Sequence, residues 1–129
     1  MYRIAVWAED ESKGRAYAER IARFCRARGV FPQVEWRLNP EERFSSQPTS
    51  VFLALPGVDG LNAAEQLRAL NPECGLVWCS DLNFSLHAFR LRADYFLLEP
   101  MTEEKWQEAL SVWFDRRSEK LKKRNENNH

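Results

Sequence analysis

The sequence predicts an α/β protein in which helices cover both faces of a doubly wound, five-stranded parallel sheet, giving three layers. Two observations carry this prediction. Short apolar runs of strand length alternate with longer segments of helical periodicity along most of the chain. The run Ser50–Leu55 lacks polar alternation, as expected for a strand buried on both faces, and it stops at Pro56. Ligands of open α/β sheets bind beyond the carboxyl ends of the strands, so the loop Pro56–Gly60 is the expected functional region.

Five segments have the composition of strands, being short, apolar and bounded by charged or turn-forming residues. Pro32 lies in the second segment and predicts an edge strand, because proline cannot donate a hydrogen bond to a ladder. Strands that alternate with helices pair in parallel through right-handed crossovers. The predicted strands are Tyr2–Ala8, Val30–Trp36, Ser50–Leu55, Gly75–Ser80 and Tyr95–Leu98.

Five helices are predicted between and after these strands. Ser12 is the expected N-cap of the first helix, and Gly29 is the residue expected to close it. The last helix opens at Thr102 and carries Trp106 and Trp113 on one stripe, which favours core positions for both tryptophans. The predicted helices are Ser12–Ala27, a short and weak one at Asn39–Gln47, Leu61–Leu70, Leu82–Arg92 and Thr102–Arg117.

The composition is typical of one domain in a reducing compartment. The 129 residues suffice for a single core, and we expect a domain at 1–117 followed by a charged tail or helix extension at 118–129. Nineteen basic residues balance nineteen acidic ones, so no overall charge favours nucleic acid or a membrane surface. The three cysteines lack Cys-x-x-Cys spacing. Without a leader or an apolar run of membrane-spanning length, the sequence predicts a cytoplasmic protein.

Four short motifs occur in an order and spacing that are more specific than any one of them. They are Arg3-Ile-Ala-Val followed by acids, Pro56-Gly-Val-Asp-Gly60, Ala88-Phe89, and Ala93 through Phe96-Leu-Leu-Glu-Pro100. With these motifs the chain resembles, over roughly residues 2–113, the receiver domain of bacterial response regulators, and most closely the receivers of LytTR-type regulators. In two-component systems this domain accepts a phosphoryl group from a histidine kinase. The resemblance implies a flavodoxin-like fold with strand order 2-1-3-4-5.

The resemblance also implies a phosphorylation site, from which this sequence departs at two positions. The family has a nucleophilic Asp at the end of the third strand and a Lys before the proline that follows the fifth. Counting back from Pro56 places the phosphoacceptor position on Phe52, or on Leu53 or Ala54 if the loop is shorter. The Lys position holds Glu99. Hydrocarbon side chains cannot be phosphorylated, so we expect a vestigial phosphoacceptor position.

The remaining positions of the family site are matched. Glu9 and Asp10 correspond to the acidic pair that holds Mg²⁺ in the family. The Ser/Thr position is Ser80, or Cys79 in an ungapped alignment, and Phe96 corresponds to the switching aromatic residue.

Two acidic features each allow a functional and a structural interpretation. Glu9, Asp10 and Glu99 could converge as a divalent-cation site, although surface acids more often point into water. Asp59 could be a displaced phosphoacceptor, but Asp59-Gly60 is first of all a turn sequence.

Three ring side chains are interpreted as structural. Trp7 and Trp78 could fill the vacated pocket or simply pack between sheet and helices. His87 has no acidic or cysteine partner at metal-ligand spacing, so we assign it no catalytic role.

The sequence therefore predicts a non-enzymatic, degenerate receiver, a pseudo-receiver that acts as a phosphorylation-independent interaction module in bacterial signal transduction or transcriptional regulation. We expect no cofactor, with Mg²⁺ at Glu9 and Asp10 left open. The expected partner is a protein, and a homodimer would use Asn83–Arg92, the fifth strand and Thr102–Arg117; we expect no membrane and no direct nucleic-acid contact. The first alternative is an atypical but phosphorylatable receiver. A further alternative is that the chain is the leading part of a longer, DNA-binding regulator.

Overall fold

Strands and helices alternate along the chain. The computed structural model describes residues 2–38, 43 and 47–127. The strands of this part are β1 (Arg3–Ala8), β2 (Gln33–Arg37), β3 (Ser50–Ala54), β4 (Gly75–Ser80) and β5 (Tyr95–Leu98). Its helices are α1 (Glu11–Arg26), α2 (Gly57–Leu70), α3 (Ser85–Arg90) and α4 (Glu103–Asn127).

The strands form one parallel sheet in the order β2-β1-β3-β4-β5, which confirms the predicted order 2-1-3-4-5 and the flavodoxin-like arrangement. β3 is central, with Val51 opposite Ala5 of β1 and Leu76 of β4. Every residue of β3 is buried because neighbouring strands and helices surround it, which explains the continuous apolar run in the sequence. β2 is the predicted edge strand and is partly exposed.

Helices on both faces of the sheet create two cores. The core on the α1 and α4 side contains Phe52 and the two tryptophans of α4, so the predicted burial of Trp106 and Trp113 is confirmed. Trp113 also donates its indole N–H to Ser50 Oγ at 2.9 Å, which satisfies a buried polar atom on each side. The core on the α2 and α3 side contains Trp7 and Trp78.

Two boundaries of the first helix differ from the prediction. The N-cap of α1 is Asp10 and not Ser12: Asp10 Oδ1 accepts the backbone N–H of Lys13 at 2.8 Å, the bond expected of a capping carboxylate. The C-cap is Ala27, and Gly29 lies two residues further on with φ 74°. The predicted helix Leu82–Arg92 is also shorter in the structure, where α3 covers six residues.

The region Pro56–Gly60 is not the predicted loop, because α2 begins at Gly57 rather than at Leu61. Gly57 has φ 58°, and its N–H donates to Asp81 Oδ1 at 2.9 Å, so a side chain from the end of β4 holds the start of this helix. A Cβ atom on Gly60 would lie 2.3 Å from the carbonyl oxygen of Leu55. Glycine is therefore needed at Gly60 for close packing of the helix on the end of β3, and not for a turn.

Three predictions lie at the margins of the described chain. Most of the predicted helix Asn39–Gln47 falls outside the described residues. The domain boundary between 117 and 118 stays a prediction, and α4 crosses it without interruption. None of the helices in the described part combines the length and apolar character needed to cross a membrane.

Candidate functional site

Four acidic side chains follow strand ends at one edge of the sheet. The strands are parallel, so their carboxyl ends meet there, as the sequence predicted for the acids after β1 and β5. Glu9 and Asp10 follow β1, Asp81 follows β4, and Glu99 follows β5. We call this edge the carboxylate edge.

The carboxylate edge contains its own cation, Lys13, which the first turn of α1 places there. Lys13 Nζ lies 2.9 Å from Glu99 Oε1 and 3.4 Å from Glu9 Oε1. Only 18% of the Lys13 side chain and 24% of the Glu99 side chain are exposed, so this pair is better shielded than a typical surface ion pair. Burial alone would lower the pKa of Lys13, but the hydrogen bonds and charges of Glu99 and Glu9 outweigh it and raise the pKa.

Asp10, one half of the predicted magnesium pair, is used as the N-cap of α1. The other half, Glu9, has 46% of its side chain exposed and lies against Lys13. Within the described residues no three His, Cys, Asp or Glu side chains are grouped so that they could hold a metal ion. The assignment of Mg²⁺ to Glu9 and Asp10 stays a prediction.

Glu99 has further partners that fix its carboxylate. The hydroxyl of Tyr17 donates to Glu99 Oε1 at 3.2 Å, and the Tyr17 ring lies edge-on to Trp106 with 4.8 Å between ring centroids. Burial raises the pKa of Tyr17, and the charge of Glu99 and its hydrogen bond to the hydroxyl add to that effect, so the hydroxyl keeps its proton and remains a donor. Glu99 therefore joins β5 to two side chains of α1.

The end of β3 presents only hydrocarbon to this edge. Phe52 is fully buried and lies edge-on to Trp113, with 5.1 Å between ring centroids. Leu53 faces the opposite core, and Ala54 is buried in register with Ala8 at the end of β1. All three candidate phosphoacceptor positions are thus inside the protein.

The end of β4 carries Ser80 and an acid that the sequence analysis missed, Asp81. Ser80 is buried; its Oγ accepts the N–H of Leu82 at 3.2 Å and donates to Asp81 Oδ1 at 3.4 Å. The hydrogen bond from the N–H of Gly57 is the main cause that lowers the pKa of Asp81. An acid directly after an apolar strand was the criterion that selected Glu9, and applied to β4 it would have selected Asp81.

The position of the switching aromatic, Phe96, belongs to a ring cluster on the α2 and α3 side. Phe96 is half-buried and edge-on to Trp78 at 5.7 Å, and Trp78 stacks on Phe84 at 5.4 Å. Trp78 and Trp7 are fully buried in that core. They fill the space between the sheet and the helices rather than a separate cavity.

Asp59 and His87 both lie on helices. Asp59 is exposed in the first turn of α2, where an acid stabilises the positive end of the helix dipole, so the predicted turn at this residue is a helix start. His87 is on α3 and lies edge-on to Phe84 at 5.5 Å.

The predicted dimerisation face exposes large apolar side chains. Phe89 is 81% exposed and Leu86, one helical turn before it on α3, is 64% exposed. Leu82 before α3 and Leu98 at the end of β5 are also exposed. Large exposed apolar groups of this kind are typical of contact surfaces.

We predict that Lys13 and Glu99 are energetically coupled. Replacing Lys13 with Met and Glu99 with Gln, singly and together, should give a coupling free energy of roughly 1 kcal/mol in urea unfolding. Because the pKa of Lys13 is raised, this contribution is complete below its ordinary value of 10.5 and is lost as the pH rises through the raised value. Additive single-variant effects at pH 7 would show that the pair contributes nothing. The pair Lys105 and Glu108, exposed on α4, is the matched control and should be close to additive.

Comparison by sequence and by structure gives different results. No protein-family model matches the chain, and no curated protein matches it. Solved structures do match, including DrrB, an OmpR/PhoB homologue of Thermotoga maritima, with a TM-score of 0.65 and 18% identity over 91% of this chain and 54% of that one. This chain therefore spans about half the length of DrrB.

Two further solved structures are similar over nearly their whole length. TrrA of Thermotoga maritima, a response regulator in complex with Mg²⁺ and BeF, matches with a TM-score of 0.60 and 20% identity over 88% of this chain and 99% of that one. HP1043, an orphan response regulator of H. pylori, matches with a TM-score of 0.59 and 13% identity over 91% and 94%. With its sheet order and its helices on both faces, the chain has the flavodoxin-like fold of response-regulator receiver domains.

Proposed function

We propose that the protein is a degenerate receiver that acts as a phosphorylation-independent protein-interaction module in bacterial signal transduction or transcriptional regulation. One observation carries the proposal. At the carboxylate edge, the end of β3 offers hydrocarbon where the family has its nucleophile, while the available ammonium, that of Lys13, is already paired with Glu99.

The fixed charges at the carboxylate edge support the same proposal. Transfer of a phosphoryl group to a carboxylate needs cations that neutralise the negative charge of both partners. Here an incoming phosphoryl group would meet the carboxylates of Glu9, Asp81 and Glu99. The family's Lys position is itself one of these acids, so the fixed charges oppose the reaction. The proposal accordingly includes no catalytic activity and no cofactor.

The interaction surface in this proposal is the face formed by α3, β5 and α4. Phe89, Leu86 and Leu98 are the exposed apolar groups that support it. Aromatic residues in such positions commonly carry much of the binding energy of an interface. We propose a protein partner on this face, with a second copy of the chain as one form of it.

The remaining parts of the proposal concern setting. We propose that the protein is most similar to LytTR-type receivers. We also propose a cytoplasmic location, with which the three buried free cysteines are consistent. Any contact with DNA would come from a further domain and not from these residues.

Incubation with Mg²⁺ and acetyl phosphate tests the proposal. We expect intact-mass spectrometry to show no phosphate-sized increase, because no acceptor carboxylate lies at the end of β3. A receiver domain that retains the phosphoacceptor Asp, treated in parallel, is the positive control. A stable phosphate adduct on this chain would contradict the proposal.

Asp81 supports a second candidate function, that of an atypical receiver which is still phosphorylated. Its carboxylate follows β4 at the carboxylate edge and is kept ionised by the hydrogen bond from Gly57, so it is an exposed nucleophile close to the end of β3. In this alternative Glu9 and Asp10 would hold Mg²⁺. An adduct lost in Asp81→Asn or in Asp59→Asn, and retained in the other variant, would establish the alternative and identify the acceptor.

A further inference from the structure

A cavity of about 350 Å³ lies at the opposite end of the sheet from the carboxylate edge. Its walls come from the end of α2, the segments that lead into β4 and β5, and the α4 residues around Arg117. The volume is within the range of small-ligand sites, which is about 300–1,000 Å³. We call it the basic cavity, because its lining includes five cations, Arg68, Arg92, Arg116, Arg117 and Lys120.

Three carboxylates also line the basic cavity, and the most buried of them is already neutralised. Asp94 is 6% exposed, and its Oδ1 lies 3.1 Å from Arg117 Nη2 and 3.6 Å from Arg116 Nη1. Its Oδ2 accepts the backbone N–H of Leu76 at 3.2 Å. The other two, Glu73 and Glu119, are exposed at the rim. The interior of the cavity is therefore positive.

Arg68 and Arg117 form a rigid wall. Arg68 donates to the carbonyl oxygens of Leu91 at 2.7 Å and of Pro72 and Cys74 at 2.8 Å. Arg117 is 7% exposed and, besides its bond to Asp94, donates to the carbonyl oxygen of Glu73 at 3.3 Å. These contacts fix both guanidinium groups before any ligand arrives, which lowers the ordering entropy lost on binding.

Arg92 stands at the mouth in an unfavourable backbone conformation. It has φ 56°, and it follows the C-cap of α3, the position at which helices usually place glycine. Within the described residues neither the Arg92 guanidinium nor the Lys120 ammonium has an ion-pair partner. A strained backbone that keeps a cation at a cavity, where glycine would fit without strain, is typical of a functional position.

We propose that the basic cavity binds a small polyanion, a molecule that carries adjacent phosphate or carboxylate groups. The exposed side chains of Arg92, Arg116 and Lys120 supply N–H donors for the anionic groups, and the wall of Arg68 and Arg117 supplies fixed positive charge. Guanidinium groups suit such ligands because they bind phosphate or carboxylate through two parallel hydrogen bonds. This site is independent of the carboxylate edge and of the proposed loss of phosphorylation.

Amide NMR titrations with inorganic pyrophosphate and with citrate, at constant ionic strength, test the proposal. We expect chemical-shift changes around Arg68, Cys74 and Asp94, with saturation. Arg92→Gly should weaken binding roughly tenfold, the effect of removing one charge-assisted contact, while the fold is kept because glycine favours this φ. Lys120→Gln should also weaken binding of these anions.

The control variant is Arg90→Gln, which removes another exposed cation, on α3 and outside the basic cavity, and should leave the affinity unchanged. Saturation by pyrophosphate alone identifies the ligand as a phosphate compound, and saturation by citrate alone identifies a polycarboxylate. The absence of saturable changes would overturn the proposal. So would changes that spread over all basic surfaces, or equal affinity in wild type and Arg92→Gly.

Discussion

Replacement of Phe52 with Asp is expected to lower the free energy of unfolding by at least about 4 kcal/mol. Phe52 is fully buried in the α1 and α4 core and packs edge-on against Trp113. The substitution both opens a cavity and buries a carboxylate without a partner. Urea unfolding followed by tryptophan fluorescence measures the loss, and a variant with no folded baseline counts as the extreme of the expected result.

Two control variants separate the effect of the lost apolar volume from the effect of the buried carboxylate. Phe52→Leu keeps most of the apolar volume and should cost roughly 1–2 kcal/mol. Val58→Asp introduces the same carboxylate at an exposed position of α2 and should change stability by less than about 0.5 kcal/mol. If Phe52→Asp were as stable as Phe52→Leu, this position would accommodate an acid. Packing of the core would then not explain why the acceptor position lacks a carboxylate.

Replacement of Asp94 with Ala is expected to cost about 3–5 kcal/mol, because it leaves the buried guanidinium of Arg117 without its counter-charge. The change also frees the N–H of Leu76 at the start of β4. Urea unfolding again supplies the measurement. Asp115→Ala, an exposed acid on the same helix as Arg117, is the matched control and should lie within about 0.5 kcal/mol of wild type.

A double variant shows whether the stability lost in Asp94→Ala comes from breaking the ion pair with Arg117. Asp94→Ala combined with Arg117→Met removes both charges, and it should recover part of the stability lost in Asp94→Ala alone. A double variant less stable than Asp94→Ala would mean that Arg117 contributes through its contact with Glu73 and its packing, and not through the pair.

Strand positions could be predicted because they depend on local patterns, whereas the sheet order followed from the resemblance to receiver domains. A strand buried on both faces, such as Ser50–Ala54, has an apolar residue at nearly every position whatever its neighbours are. The helix starts were less predictable. Pro56-Gly57 and Asp59-Gly60 have turn composition, yet they begin α2, because Asp81 caps Gly57 from 24 residues away and Gly60 packs on the carbonyl oxygen of Leu55.

In the candidate site, too, the positions of single residues could be predicted from the sequence, but contacts between distant residues could not. The sequence places Glu9, Asp10 and Glu99 near one edge, because each directly follows a strand. It gives no indication that Lys13 pairs with Glu99, since 86 residues separate them and a lysine among helix polar residues is normally solvated. The lining of the basic cavity is likewise assembled from segments that are distant from one another in the sequence.

The ammonium of Lys13 is attached to the polypeptide, whereas a bound metal ion exchanges with its surroundings. The positive charge at that edge would therefore stay constant when magnesium levels in the cell fluctuate, and no donor of phosphate would be needed to set its state. Under the proposed function, partner binding at the other face would then not depend on a change of charge at this edge.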